Sequence, residues 1–135
     1  MSPFSLFLRH IRESRNIRQK DVAELLGYEQ SYLSALENGL KGIPRDEFIQ
    51  QFTKKLQLNE DEVAAMHIAL ANSHRTLNIP ISARVAEFRL AHQFERLLGN
   101  LSEKQIQFLE LALELSTVSE SASIAKTKLL KENEM

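Results

Sequence analysis

Two short apolar stripes separated by a single glycine constrain this chain more than any other feature. Between Gln19 and Asn38, Val22, Ala23, Leu25 and Leu26 make the apolar side of one helical segment, and Leu33 and Leu36 make that of a second. Gly27 stands between them, where a helix can end in the left-handed conformation that glycine adopts at little cost. Ala23 is small where two steeply crossing helices need close approach. The stretch is expected to form helices over about 19–26 and 30–38, linked through Tyr28 and Glu29.

The flanking residues supply further helices. Phe4, Phe7, Leu8 and Ile11 recur at three- and four-residue steps, which predicts a first helix over 4–15 started by Ser2-Pro3. Arg9, Arg12 and Arg15 lie largely off that stripe and are expected on a solvated face. Asn38-Gly39 is a helix stop, and a loop with Gly42 and Pro44 follows. A fourth helix is expected over 45–58 with Phe48, Ile49, Phe52 and Leu56 inward. Asn59, followed by Glu60-Asp61-Glu62, caps a fifth that Val63, Met66, Ile68 and Leu70 carry to about His74. The central pair then reads as a helix-turn-helix, with the outward side of its second helix offered to a DNA groove.

Asn78-Ile79-Pro80-Ile81 is the expected boundary, dividing the chain into 1–77 and 78–135. One further helix is expected from Ser82 to Leu98, stopped by Gly99-Asn100, and another, capped by Ser102, to about Ser116. The latter is apolar over much of its circumference and needs cover from several directions. Residues 80–118 are therefore expected to form a helical hairpin that pairs with a second copy through Phe108, Leu109, Ala112 and Leu113. The alternative is that it folds back on the first five helices. Residues 119–135 fit a weak helix or a frayed tail.

Charge is a weak guide. The net charge is −1, yet residues 1–57 hold nine basic against seven acidic residues, and 58–135 hold eight against eleven. That asymmetry suits a reader of specific DNA sites better than a strongly basic coating protein. With no cysteine, disulfides and thiolate zinc sites are excluded. His10, His67, His74 and His92 have no carboxylate or cysteine at ligand spacing, so neither metal nor cofactor is expected. There is no Gly-rich phosphate loop and no activated nucleophile, so no enzyme activity is expected. No apolar run is long enough to span a bilayer, and Met1–Leu8 lacks a positive signal-peptide start; a cytoplasmic location is expected.

From Phe4 to about His74 the chain resembles the Cro/phage-repressor (XRE-type) family of helix-turn-helix regulators. The resemblance rests on an ordered set: Gln19, Val22-Ala23, Leu25-Leu26, Gly27, Gln30-Ser31-Tyr32-Leu33-Ser34, Leu36-Glu37-Asn38-Gly39 and Pro44-Arg45. It implies an all-α fold, a five-helix repressor-like helix-turn-helix domain followed here by the C-terminal helical hairpin. It also implies roles. Gln19 would grip a phosphate and buttress the first recognition side chain. Gln30 would be the first base contact, since its amide can meet adenine N6 and N7 together. Ser31, Ser34 and Ala35 would share its face, with Tyr32 either reaching a phosphate or half-buried. Asn38, Lys41 and Arg45 would meet the DNA backbone, which positions without specifying. Glu29 departs from the usual Ser or Thr cap, and the recognition face lacks the Arg that would read guanine.

The expected function is a dimeric, sequence-specific transcription regulator, a repressor that sets its recognition helix 29–38 into a pseudo-palindromic double-stranded operator. The alternatives are an antitoxin or controller whose C-terminal helices hold a partner protein, and an adaptor that no longer meets DNA. A small-molecule effector is not indicated.

Overall fold

Every regular element among the described residues, 1–115 of the computed structural model, is a helix. Two compact units divide the chain, Met1–Asn78 and Ile79–Met135. The first holds α1 (Pro3–Ser14), α2 (Gln19–Leu26), α3 (Gln30–Glu37), α4 (Asp46–Lys55) and α5 (Glu60–Ala71). The second holds α6 (Val85–Leu97) and, over residues 103–115, α7.

Four of the first five helices end in the same way. After α2, Tyr28 N–H donates to Ala23 O at 2.9 Å and Gly27 N–H to Glu24 O at 3.2 Å, with Gly27 left-handed at φ 78°. This paired closure satisfies carbonyls that a bare helix end would leave without donors. After α3, Leu40 donates to Ala35 O at 2.9 Å and Gly39 to Leu36 O at 3.2 Å, with Gly39 at φ 72°. Asn16 (φ 53°) closes α1 and Gln57 (φ 51°) closes α4 by equivalent bonds. Gln57 ends α4 earlier than the 45–58 expected from pattern, although Leu56 still reaches the core. The fifth helix likewise stops at Ala71, short of His74.

Phe4, Leu8 and Ile11 of α1, Val22, Ala23 and Leu26 of α2, and Leu33 and Leu36 of α3 are buried together with Phe48, Phe52, Leu56, Met66 and Ala69. Full burial of one such large side chain contributes roughly 1.5–3 kcal/mol. Two expected inward residues lie outside this core: Leu25 is 45% exposed and Ile68 is 64% exposed. Each sits beside the buried residues of its helix, Val22, Ala23 and Leu26 in α2 and Met66 and Ala69 in α5.

Polar contacts bind the ends of this unit. Ser2 and Ser5 form a reciprocal cap on α1, and Phe4 N–H, another unpaired donor of that first turn, is met by Ser73 Oγ at 2.9 Å. Arg15 donates through Nε to Leu56 O at 2.8 Å and through both terminal nitrogens to the carboxylate of Glu62, at 3.0 and 2.8 Å. One side chain at the end of α1 thereby fastens the end of α4 to the start of α5. The Arg15 guanidinium, the Asn59 N–H and the Arg15 charge hold the Glu62 carboxyl at about 2, below its ordinary 4.5. The expectation of a solvated face therefore fails for Arg12 and Arg15, both of which are partly buried and paired.

The second unit is built differently. A turn closed by Ala83 N–H on Pro80 O delays α6 to Val85, three residues beyond the expected start at Ser82. Gly99, left-handed at φ 91°, follows α6, and Ser102 and Gln105 cap α7 reciprocally at 2.9 and 3.2 Å. None of residues 79–115 is buried. Residues 119–135, read above as a weak helix or frayed tail, lie outside the described residues.

Candidate nucleic-acid interface

The recognition helix α3 is set by a carboxylate on its inner side. Leu33, Leu36 and Glu37 occupy one apolar face, and Glu37 is 1% exposed. An acid so placed requires partners, because an unpaired buried charge is strongly disfavoured. Arg12 of α1 supplies one, donating through Nε to Glu37 Oε1 at 2.7 Å and through Nη1 to Ile17 O at 3.1 Å. Gln19, first residue of α2, donates its amide to Glu37 Oε2. The last residue of α3 thus gathers α1 and the start of α2, while Arg12 also holds the α1–α2 turn.

With the inner face fixed, the other side of α3 is left open. Gln30 and Ser31 are exposed, Ser34 and Ala35 are half-exposed, and Asn38 is exposed just beyond the helix. These positions fall along one side at helical spacing. Lys41 and Arg45 are exposed in and after the loop that follows. Tyr32 is half-buried. Its ring stacks on Tyr28 with centroids 5.2 Å apart and meets Phe48 edge-on at 6.1 Å. Burial, then the neighbouring Tyr28, push the Tyr32 hydroxyl above its ordinary pKa of 10, while Arg45 pulls the other way. Gln19 is half-buried, its amide nitrogen committed to Glu37.

Residues 3–66 match a family model described as a helix-turn-helix domain. These residues form a helix-turn-helix domain. No curated protein and no solved structure matches the chain significantly. The matched segment takes in all of α1 to α4 and ends inside α5.

Three residues that hold α3 in place have roles not apparent from the sequence pattern. Glu37 and Arg12 hold α3 from behind; the signal was an acid within the Leu33–Leu36 stripe, a position that demands a cation. Arg9 reaches the same helix from α1, donating through Nη2 to Asn38 Oδ1 at 3.0 Å. Nothing in its local sequence announces that contact, which spans 29 residues.

The dimerisation candidates lie on α7. Phe108, Ala112 and Leu113 are exposed and Leu109 is half-exposed. Phe108 and Leu109 line an open groove with Leu97 and Leu101. Among the described residues there is no group of His, Asp or Glu arranged to hold a metal ion, and no helix long and apolar enough to cross a membrane.

Proposed function

We propose that this chain is a sequence-specific, dimeric DNA-binding transcription regulator that represses by occupying a pseudo-palindromic operator. The observation that carries the reading is the division of α3 into a face locked by Leu33, Leu36 and Glu37 and an exposed face bearing Gln30, Ser31 and Ser34. That exposed face fits the major groove, which admits one helix. Gln30 pairs with adenine through donor and acceptor together, the serines meet several bases, and Ala35 touches a thymine methyl. Asn38, Lys41 and Arg45 bind the backbone and set register.

Pairing follows from the second unit. Two capped helices with no buried side chain have no core of their own, and Ile106, Phe108 and Leu111 present large apolar surface on α7. A second copy covers that surface by the self-complementarity of a two-fold interface. Two recognition helices then enter successive major grooves, about 34 Å apart. The same apolar surface also suits a different partner protein, the controller or antitoxin reading.

Selection of bound duplexes from a random DNA pool tests the proposal. Enrichment of two inverted half-sites about one helical turn apart is expected. A single unpaired half-site would refute dimeric binding, and no enrichment at low salt would refute DNA recognition altogether.

A further inference from the structure

The arginines of the first unit fall into two groups by what they touch. Arg12, Arg15 and Arg18 each meet a carboxylate, Glu37 at 2.7 Å, Glu62 at 2.8 Å and Asp21 at 2.8 Å. Those charges are spent within the fold. Arg9 and Arg75 instead donate to neutral oxygens, Asn38 Oδ1 at 3.0 Å and Gly39 O at 2.5 Å. Among the described residues neither forms an ion pair. Arg9 stands on α1 and Arg75 lies beyond α5, yet both are drawn to consecutive residues at the C-terminal end of α3.

A neutral acceptor holds a guanidinium in place without cancelling its charge. Lys41 adds a third cation, for it lines a shallow recess with Arg75, and no acidic residue contributes to the walls. Fixed, uncancelled guanidinium groups beside a recognition helix are suited to phosphate oxygens, which accept hydrogen bonds in the fork geometry that arginine offers. The exposed face of α3 carries no cation, so backbone affinity has to come from its flanks. We propose that Arg9 and Arg75, held by the consecutive residues Asn38 and Gly39, form with Lys41 beside Arg75 a phosphate seat that clamps the DNA backbone at the end of the recognition helix. This rests on the DNA-binding reading above, and it extends the binding surface beyond the matched segment, to Arg75.

The test is the salt dependence of affinity, measured on a selected duplex and on a random duplex of equal length. Each lost phosphate contact lowers the slope of log affinity against log salt by about 0.9. Arg9→Gln and Arg75→Gln should each remove about that much, and the double variant about twice as much, equally on both duplexes. Arg9→Lys with Arg75→Lys should keep most of the slope, since a phosphate also accepts a point charge. An unchanged slope in the folded Gln double variant would reduce both residues to helix caps. A loss confined to the selected duplex would make them base readers and overturn the seat. If the Lys pair loses as much slope as the Gln pair, the bonds to Asn38 and Gly39 matter rather than the charges, and the seat fails. Should the unaltered protein bind neither duplex at low salt, the DNA-binding reading itself falls, a distinct result from failure of the seat alone.

Discussion

Arg12 Nε donates to Glu37 Oε1 at 2.7 Å, joining the first helix to the last residue of the recognition helix. The pair lies on the buried side of α3, away from the exposed Gln30 and Ser31, with Gln19 as a second donor to the same carboxylate. Removing one partner of a buried pair leaves the other charge without compensation, at a cost of about 3 kcal/mol or more. Glu37→Ala should therefore lower the urea midpoint sharply. Arg12→Met combined with Glu37→Leu should recover much of the loss, because neither charge then remains buried. Additive losses in that double variant would contradict the coupling.

Gly27 and Gly39 share a left-handed backbone but differ in surroundings. A Cβ built on Gly27 meets nothing within 4 Å, whereas one on Gly39 lies 2.9 Å from Met1 Cα. Gly27→Ala should cost about 1 kcal/mol, the conformational term alone. Gly39→Ala should cost more and displace the backbone of Met1 and Ser2. Thermal melts that rank the two equally would argue against close packing at Gly39.

Glu62 gives the first unit a defined response to acid. Its folded pKa of about 2 lies below the ordinary 4.5, so its stabilisation is complete above pH 4.5 and is lost as pH falls toward 2. Glu62→Gln preserves a side chain that can complete the Asn59 cap but surrenders the ion pair. It should lower stability by about 1 kcal/mol at neutral pH, and the difference from the unaltered protein should shrink steadily below pH 4.5. A pH-independent difference would mean that the Arg15 pair contributes nothing electrostatic.

Phe108, 73% exposed on α7, addresses the proposed pairing. Phe108→Glu introduces a charge into the surface that a second copy would cover, without emptying any buried position. Light scattering should show the unaltered chain at twice its monomer mass and the variant at the monomer mass. Equal masses would remove this surface from the interface.

Much of the first unit was legible because its signals are local. Gly27 and Gly39 mark helix ends by backbone freedom, Asn59 marks a start by its side chain, and the stripe from Phe4 to Ile11 marks a buried face. Asn16 and Gln57 were less visible, since residues with a Cβ enter the left-handed region only when the surrounding structure holds them there. The candidate interface was half legible for the same reason. Gln30 and Ser31 are exposed at the start of α3, as helical spacing predicts, whereas Arg9 on Asn38 and Arg75 on Gly39 join residues 29 and 36 positions apart. Spacing along one helix carries no information about such contacts.

The proposed reading of DNA bases by the outward face of α3 rests first on Gln30. The direct measurement is the affinity of Gln30→Ala for the selected operator and for random duplex at one fixed salt concentration. A loss of about 1–3 kcal/mol on the operator is expected, with little change on random DNA and relaxed preference at one base pair in each half-site. An equal loss on both duplexes, or none on either, would contradict it.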